Sequence, residues 1–277
     1  MQAEFGWMQS LSGKLAVIKI GGNALGEAGL TEGFISDLRT LRDVGLRIVL
    51  CHGAGPHISK ALSEHGIVSQ FINGQRQTSL EAVEIVREVL TSLGGHIARQ
   101  LQQANVAAQA IAETEPNLLT GRRLGVIVDG RGVDLGQVGA VDQVDVTPLE
   151  QLIAVQSIPV ISAFARDQTD STLLNVNADL AAATIAASLN ADWLVVLSDV
   201  EGVYSNWPDR TSLIANLDPA GIEKLLTIVD TGMIPKLTAC REAILGGVQR
   251  AAIMDGRVEH PLLVGKWGEV GTTIGGI

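Results

Sequence analysis

Short apolar runs rich in valine and isoleucine alternate along this chain with longer amphipathic stretches. The runs have the length of buried strands and cover residues 14–20, 46–51, 157–161, 192–197 and 249–254. The stretches between them show a helical spacing of apolar residues and cover residues 31–43, 56–65, 80–103, 178–189 and 234–245. Strands and helices that alternate in this way favour a mainly parallel sheet with helices on both faces. The sequence therefore predicts an α/β fold, a three-layer αβα sandwich.

One segment breaks this alternation. Residues 121–141 are rich in glycine, alternate between apolar and polar side chains, and contain the turn dipeptide Asp129-Gly130. This pattern predicts β-hairpins instead of another strand and helix. The chain has no internal repeat and no proline-rich linker. We therefore predict a single domain over residues 1–277, with a soft boundary between two lobes near Asp170.

Charge and composition argue against several classes of function. The net charge is −10 and no block of basic residues offsets it, which disfavours nucleic acid as a partner because phosphate backbones attract clustered lysine and arginine. No segment approaches the roughly 20 apolar residues of a membrane helix, and no secretory signal is recognisable. Cys51 and Cys240 are too few for a disulfide framework and lack metal-ligand spacing. We therefore expect a cytoplasmic protein with buried, reduced thiols and no membrane or nucleic-acid partner.

Two glycine-rich turns follow predicted strands. They are residues 19–23, Lys-Ile-Gly-Gly-Asn, and residues 52–56, His-Gly-Ala-Gly-Pro. Glycines let the backbone approach a ligand, and open α/β sheets bind ligands at the carboxyl ends of their strands. The two turns would hold a phosphate between them, with Lys19 as the cation; ordinary turns between strand and helix are the alternative. Neither turn has the P-loop pattern, and His52 alone is more typical of a packed turn histidine than of a catalyst.

Polar side chains also lead into an otherwise apolar helix. Asn175 and Asn177 fall on one face of an extended segment. Asp179 then falls in the first helical turn, where a carboxylate is favourable. An N-cap at Asn177 would explain one or two of these residues but not all three, so we favour a functional role.

A second lysine stands at the start of a helix. Pro235 suits the first turn, which places Lys236 where a lone cation is unfavourable unless an anion binds nearby. Together with Lys19, Asp179 and the glycine turns, this lysine favours phosphoryl transfer, which depends mostly on positioning and on stabilising charge. A carboxylate acceptor is already ionised at neutral pH, so no general base is required.

These patterns resemble the amino-acid kinase family. The resemblance extends from Lys14 to Ile274 and rests on ten motifs in the family's order: KIGGN, HGAGP, FINGQRQT, DLGQVGAV, IPVIS, NVNAD, LSDVEGVY, TGMIPK, DGRVEHPL and GTTI. It implies an enzyme that transfers the γ-phosphate of ATP to the side-chain carboxylate of N-acetyl-L-glutamate in arginine biosynthesis. Residues 1–170 would hold this acceptor and residues 171–277 the ATP, which is expected to bring Mg²⁺ with it.

The resemblance also implies roles for individual residues. Lys19 and Lys236 would stabilise the transferring phosphoryl group, and Asp179 would hold both lysines in place. Arg76 would pair with a carboxylate of the acceptor, a task suited to the planar guanidinium. The rest of the acceptor site would be Gly53, Ala54, Gly55, Asn175 and Asn177. The rest of the ATP site would be Gly21, Gly22, Ser198, Asp199, Gly202, Val203 and Tyr204. No metal ligands from the protein are implied.

The chain departs from the family pattern in two places. The second turn usually has glycine where this chain has Ala54, and a Cβ there would be strained if the position required φ above zero. Residues 112–116, Ala-Glu-Thr-Glu-Pro, replace a usual Ser-Gly-Lys-Asp-Gly, which leaves the acyl preference open. The resemblance implies that family members form hexamers when an extra N-terminal helix joins their subunits. In this chain residues 4–11 offer only a short helix. A homodimer is therefore expected, with a hexamer as the alternative.

Two other interpretations stay open. A kinase of lysine biosynthesis, acting on aminoadipate or glutamate held on an acidic carrier protein, would need a basic docking surface, which the net charge of −10 disfavours. A non-catalytic metabolite sensor with the same fold would not need Lys19, Asp179 and Lys236 together. Carbamate kinase matches the NVNAD and MIPK motifs poorly, and aspartate kinase would be expected to carry a long regulatory extension.

Overall fold

The computed structural model of the chain describes residues 2–21, 25, 29–72, 74–112, 117–128 and 131–275. Gly22 of the first glycine turn, residues 113–116 and the Asp129-Gly130 turn lie outside the described residues.

The described helices are α1 (Gln2–Gln9), α2 (Glu32–Asp43), α3 (Gly55–Glu64), α4 (Leu80–Gln103), α5 (Thr147–Ala154), α6 (Ala178–Ser188), α7 (Pro219–Leu225) and α8 (Ile234–Leu245), with a short 3-10 turn at Arg210–Ser212. Among these helices, none combines the length and the apolar character needed to cross a bilayer. The described strands are β1 (Leu15–Ile20), β2 (Arg47–His52), β3 (Phe71–Ile72), β4 (Gln75–Arg76), β5 (Ala108–Ala110), β6 (Leu119–Val128), β7 (Arg131–Val144), β8 (Ile158–Ser162), β9 (Phe164–Asp167), β10 (Leu173–Val176), β11 (Trp193–Ser198), β12 (Val203–Tyr204), β13 (Leu213–Ile214), β14 (Asn216–Leu217), β15 (Arg250–Asp255) and β16 (Thr272–Gly275).

A central sheet contains eight of these strands in the order β14-β16-β15-β11-β1-β2-β8-β5. The strands from β15 to β5 are parallel, and β16 runs antiparallel to β15. All five predicted strands belong to the parallel part, and all five predicted helices are present, each within one residue of its predicted bounds. The predicted α/β fold is confirmed.

Helices cover both faces of this sheet, because side chains alternate in direction along each strand. In β1, Ile18 and Ile20 belong to one buried core, which includes apolar residues of α2, α3 and α4. Leu15 and Val17 belong to the other core, which includes residues of α5, α6, α7 and α8. Lys19 follows the alternation of Leu15 and Val17, so its side chain points to the face that α6 covers.

The segment that breaks the alternation forms a second β structure. β6 and β7 are an antiparallel hairpin, as predicted for residues 121–141, and they close into a four-stranded barrel with β9 and β10. β10 pairs in parallel with β7, and α6 begins two residues after β10 ends. The barrel therefore fixes the strand that leads directly into α6.

Strands from both sides of the predicted boundary near Asp170 share the central sheet. β1, β2, β5 and β8 form one half of the sheet, and β11, β14, β15 and β16 form the other, with β1 beside β11 at the junction. β10 lies just beyond the boundary but pairs with β7 and β9 from before it. The division into an acceptor lobe and an ATP lobe stays a prediction.

The N-terminal helix is short, as the sequence indicated. α1 covers Gln2–Gln9, close to the expected residues 4–11. The ring of Trp7 lies 6.2 Å from the ring of Trp267, which in turn lies 5.6 Å from Trp193 at the start of β11. These rings attach α1 to the central sheet.

Candidate active site

The side chain of Lys19 meets that of Asp179 on the face of the sheet that α6 covers. Lys19 lies near the carboxyl end of β1, and Asp179 lies in the first turn of α6. Lys19 Nζ is 2.7 Å from Asp179 Oδ1, and the two side chains are 7% and 6% exposed. Both charges lose water in such a pair, so a buried ion pair contributes little net stability. Its presence here indicates a function other than stabilising the fold.

Lys236 approaches the same carboxylate from α8. Pro235 occupies the first turn of α8, as predicted, and Lys236 follows it. Lys236 Nζ lies 3.6 Å from Asp179 Oδ2 and donates a hydrogen bond to the Gly232 carbonyl at 3.2 Å. The carboxylate of Asp179 therefore lies between two ammonium groups, one facing each oxygen.

Asp179 stays ionised despite its burial. Burial raises the pKa of a carboxyl group, but the charges of Lys19 and Lys236 and their hydrogen bonds outweigh it and hold the pKa of Asp179 below its usual value. Two ammonium groups and one carboxylate leave a net positive charge at this point. That charge suits a group such as a phosphoryl, which gains negative charge on its oxygens during transfer.

The two cysteines lie beside this cluster as free, buried thiols, as the sequence predicted. Cys51 Sγ contacts the Ala178 carbonyl at 3.8 Å. Burial raises the pKa of Cys51 to about 12 and also raises that of Cys240. Both thiols are therefore protonated at neutral pH and poorly suited to act as nucleophiles.

The two asparagines before α6 have different partners. Asn177 is the N-cap of α6, and its Oδ1 accepts hydrogen bonds from the N–H groups of Asp179 at 2.9 Å and Leu180 at 3.2 Å. Asn175 Nδ2 donates to Thr78 Oγ1 at 3.1 Å. Asn177 thus acts as an N-cap, which fixes the position of Asp179 in the first turn, and its predicted role in acceptor binding stays a prediction.

The second glycine turn, residues 53–55, lies close to the start of α6. Ala54 has a φ of −146° and a ψ of 33°, so the strain considered for an alanine at this position does not arise. A Cβ on Gly53 would lie 3.1 Å from the Cβ of Ala178, so this close approach does favour glycine. Gly53 N–H donates to the Ile20 carbonyl at 3.3 Å. Pro56 has no N–H, so at the start of α3 the N–H groups of Gly55 and His57 are those without an intrahelical partner, and they can bind an anion.

Arg76 on β4 is a buried cation. Its guanidinium donates to Ser59 Oγ at 2.8 Å and to the Gly55 carbonyl at 3.3 Å, and it also contacts Ser69 Oγ. The Phe71 ring lies against it, with 4.6 Å between Cζ and the ring centroid. Arg76 is 8% exposed, and burial lowers its pKa. Within the described part of the chain no acidic side chain pairs with it, so this site favours binding of an anion.

These side chains meet in one cavity of about 240 Å³. The cavity brings together the predicted residues Lys19, Gly53, Ala54, Gly55, Arg76, Asn175, Asn177 and Asp179. Much of the remaining wall is apolar and was not predicted as part of a site, namely Ile58, Phe71, Leu90, Leu124, Val138 and Ala163. In the sequence these residues look like ordinary core positions, and no local signal distinguishes them. Lys236 reaches the cavity through its contact with Asp179.

Two of the residues predicted to bind ATP lie at the ends of the central strands. A Cβ on Gly21 would be 3.4 Å from Lys19 Nζ, so Gly21 lies directly beside the lysine. Ser198 ends β11, the neighbour of β1, and its hydroxyl donates to Asp199 Oδ1 at 3.3 Å. Gly21 thus places its backbone near the ammonium group of Lys19, and Ser198 lies at the end of the adjacent strand.

The rest of the predicted nucleotide loop packs against β16. Val203 N–H donates to Thr272 Oγ1 at 2.7 Å, and a Cβ on Gly202 would lie 2.7 Å from the same oxygen. The Tyr204 hydroxyl donates to Glu201 at 2.6 Å. The described residues that line the 240 Å³ cavity include none of residues 198–204. Their role in binding ATP stays a prediction, to which the structure adds Thr272 as a residue that holds the loop.

A parallel αβα sandwich, with two lysines around an ionised carboxylate at the ends of its strands, defines a small-molecule phosphotransferase. The profile of the amino acid kinase family matches residues 14–255. The chain belongs to this family, and it is a kinase that uses ATP. The resemblance that the motifs indicated is confirmed.

The relatives of this chain include acetylglutamate kinases from several bacteria. The acetylglutamate kinase of Streptomyces coelicolor is 42% identical over 262 residues, which cover 93% of this chain and 85% of that protein. The acetylglutamate kinase of Mycobacterium ulcerans is 41% identical over 267 residues, which cover 96% of this chain and 91% of that protein.

Solved structures share the fold at lower identity. The N-acetylglutamate synthase of Neisseria gonorrhoeae has a TM-score of 0.85 and 23% identity, and the match covers all of this chain but only 62% of that longer protein. The carbamate kinase of Giardia has a TM-score of 0.66 and 17% identity, with 94% of this chain and 98% of that protein covered. At these identities the likeness concerns the fold alone.

Proposed function

We propose that this chain phosphorylates the side-chain carboxylate of N-acetyl-L-glutamate with ATP, the second step of arginine biosynthesis. One observation carries the choice of acceptor: the buried guanidinium of Arg76 lines the same cavity as the ammonium group of Lys19. An acceptor with two carboxylates fits this pair, because one carboxylate would bind Arg76 and the other would reach the phosphoryl group beside Lys19. The acetylglutamate kinases among the relatives support the same acceptor.

The reaction needs positioning and positive charge more than acid or base chemistry. An ionised carboxylate oxygen of the acceptor attacks the γ-phosphorus, the bond between this phosphorus and the oxygen of ADP breaks, and an acyl phosphate and ADP result. Lys19 and Lys236 would stabilise the charge on the transferring group, and Asp179 would fix the distance between them. The free N–H groups at the start of α3 would add hydrogen-bond donors.

We expect magnesium to enter the site as part of the ATP complex. Among the described residues, no three or more His, Cys, Asp or Glu side chains are grouped so that they could hold a metal ion. Both oxygens of Asp179 face lysines, so this carboxylate is not a ready ligand. The phosphate oxygens of ATP would therefore be the main ligands of Mg²⁺.

The arrangement of the lobes extends the proposal. Arg76 and the turn 53–55 come from residues 1–170, which would hold the acceptor, and Lys236 and the loop 198–204 come from residues 171–277, which would hold ATP. Asp179, Asn175 and Asn177 would stand between the two ligands. A homodimer and a cytoplasmic location are part of the same proposal and stay predictions.

A coupled ADP-release assay with Mg-ATP tests the acceptor. N-acetylglutamate, glutamate, aspartate, aminoadipate and carbamate would be offered in parallel. We expect turnover with N-acetylglutamate at a kcat/KM at least about 100-fold above that for glutamate, because free glutamate carries an α-ammonium group in place of the neutral amide, and the nearby cations of Lys19 and Arg76 would repel it. Equal turnover of glutamate, or none with N-acetylglutamate, would contradict the proposal.

Lys19→Met separates this activity from contamination. Methionine keeps most of the volume of lysine but not its charge, so kcat should fall by about 100-fold or more if Lys19 stabilises the transferring group. ADP release that persists at the wild-type rate in this variant would come from another enzyme or from a site elsewhere in the chain.

A further inference from the structure

A buried polar pair lies beneath the second glycine turn and has no part in the mechanism above. His52 ends β2 and Ser162 ends β8, and the two residues are direct partners in the sheet. His52 Nε2 lies 3.1 Å from Ser162 Oγ, which lies 3.1 Å from the Leu90 carbonyl in α4. His52 is 0% exposed and Ser162 5%. The core cluster on this side of the sheet includes the apolar side chains of Leu50, Leu90 and Val160.

Two arrangements of hydrogen atoms fit these contacts. The Ser162 hydroxyl has a single hydrogen, which it donates either to the Leu90 carbonyl or to His52 Nε2. In the first case the neutral His52 donates Nε2–H to Ser162 Oγ, and in the second it accepts at Nε2, so the two side chains are hydrogen-bonded in both tautomers. Burial lowers the pKa of His52 to about 4, so the imidazole is neutral at pH 7 and can carry its one hydrogen on Nε2.

Helix α4 leaves room for the pair. Gly94 lies inside this 24-residue helix, where glycine is the least favourable residue after proline. A Cβ on Gly94 would lie 2.9 Å from His52 Nε2 and 3.0 Å from Ser162 Oγ. The helix therefore has no side chain at the point where the polar pair meets it. The lower helix propensity of Gly94 is the consequence of making room for the pair.

Each member of the chain of contacts is joined directly to the cavity wall. Gly53 follows His52, Ala163 follows Ser162, and all three of Gly53, Ala163 and Leu90 line the cavity. The hydrogen bonds therefore tie together three elements, β2, β8 and α4, at the point where each contributes one residue to the wall.

An apolar pair of similar size would be about as stable in this layer, because replacing both partners of a buried hydrogen bond is often neutral. A directional bond differs from such a pair in that it fixes one relative position of its two strand ends. We propose that the His52–Ser162 hydrogen bond positions the Gly53–Gly55 turn against the substrate that accepts the phosphoryl group. His52 and Ser162 are then positioning residues, and this inference rests on the proposed function.

The test uses Ser162→Ala, His52→Gln and a control. Ser162→Ala removes the hydroxyl of the bond, whereas His52→Gln keeps a side-chain amide that can donate or accept near the place of Nε2. Thr40→Val is the matched control, since it also removes a hydroxyl that donates to a carbonyl, that of Ser36 in α2 at 2.9 Å, away from the cavity. For each variant we would measure kcat, both KM values and the hydrogen exchange of the amides at residues 53–55.

We expect Ser162→Ala to lower kcat about tenfold, because small misplacements of a positioning group have effects of this order or larger. The KM for ATP should stay within about twofold, and the amides of residues 53–55 should exchange faster. His52→Gln should keep kcat within about threefold of the wild type, with turn exchange close to wild type. Thr40→Val should change neither kcat nor the exchange of the amides at residues 53–55.

The inference requires that Ser162→Ala both lowers kcat and speeds the hydrogen exchange of the amides at residues 53–55. A lower melting temperature with unchanged kcat, or a lower kcat with unchanged exchange in the turn, would overturn it. If the wild-type protein phosphorylates none of the acceptors, the proposed function fails and exchange alone decides. Faster exchange of the turn in Ser162→Ala, with near-normal exchange in His52→Gln, would then support the positioning role, and unchanged exchange would overturn it.

Discussion

The ammonium group of Lys19 lies 2.7 Å from Oδ1 of Asp179, so the end of the first central strand and the first turn of α6 share one buried charge pair. Lys236 faces the other oxygen at 3.6 Å. The carboxylate thus has two roles that experiments can separate. It keeps two cations at a fixed distance from each other, and it compensates their charge in a buried site.

Asp179→Asn tests both roles, because asparagine keeps the shape of the side chain and removes its charge. We expect kcat to fall about 100-fold, since the lysines lose the group that positions them. The free energy of unfolding should fall by about 3–5 kcal/mol, because buried ammonium groups are left without a counter-charge. ADP release and urea unfolding would measure the two effects.

Asp192→Asn is the control for this variant. Asp192 precedes β11 and pairs with Lys14 at 2.8 Å, at the opposite end of the strands from the cavity. Its loss should lower stability but leave kcat within about twofold of the wild type. If both variants lower kcat to the same extent, Asp179 has no special place in the reaction.

The lowered pKa of Asp179 predicts how its contribution depends on pH. In the folded state the pKa lies below the usual value of 3.8, so the stabilisation is fully present above about pH 5 and is lost as the pH falls through 3.8 towards the folded pKa. The difference in melting temperature between wild type and Asp179→Asn should therefore be constant above about pH 5 and shrink as the pH falls towards about pH 3.

Because wild type and Asp179→Asn are compared with each other, the effects of carboxylates that titrate in both proteins cancel. Asp170 is one of these carboxylates: hydrogen bonds from Thr172 and the nearby Arg123 lower its pKa to about 2. A difference in melting temperature that stays constant over the whole pH range would show that Asp179 is not held ionised by the lysines.

Arg76→Lys tests the acceptor carboxylate. Lysine keeps the charge but not the planar fork, which here also contacts Ser59 and Ser69. The loss of a charge-assisted pair of about 1.5–3 kcal/mol should raise the KM for N-acetylglutamate about 10- to 100-fold, with the KM for ATP unchanged. Arg123 is a barrel arginine that pairs with Asp170 at 2.8 Å and lies outside the cavity lining. The control variant Arg123→Lys should leave both KM values near wild type.

The parts of the site that sequence could predict are those fixed by local chain geometry. Lys19 lies near the carboxyl end of β1 and Lys236 in the first turn of α8, so short-range patterns place both at the same edge of the sheet. For Asn177 the sequence favoured a functional role over a plain N-cap. The structure shows that Asn177 caps α6 through the N–H groups of Asp179 and Leu180, and its role in acceptor binding stays a prediction.

The parts that sequence could not predict depend on contacts between distant segments. Leu124 and Val138 line the cavity only because β6 and β7 close into a barrel with β9 and β10. β5, with three residues, and β14, with two, are too short to show a period. Their pairing partners, and not their own residues, make them strands.

The second glycine turn permits a last prediction, which concerns two adjacent positions with opposite requirements. Ala54 has a φ of −146°, which any residue adopts, so Ala54→Gly should leave kcat within about twofold and lower stability by about 0.5–1 kcal/mol through the greater freedom of the unfolded chain. A Cβ on Gly53 would lie 3.1 Å from that of Ala178. Gly53→Ala should therefore displace the turn from the start of α6 and lower kcat about tenfold or more.

Steady-state kinetics on the two variants, with circular dichroism melts to confirm folding, would measure both effects. Gly66→Ala supplies the control for a glycine that must keep its conformation, since its φ is +73° and a Cβ there meets no atom within 4 Å. This variant should lose stability without losing kcat. A Gly53→Ala enzyme with wild-type kcat would mean that the turn does not have to approach α6 for the reaction, and an Ala54→Gly enzyme with a much higher kcat would mean that the alanine does hinder it.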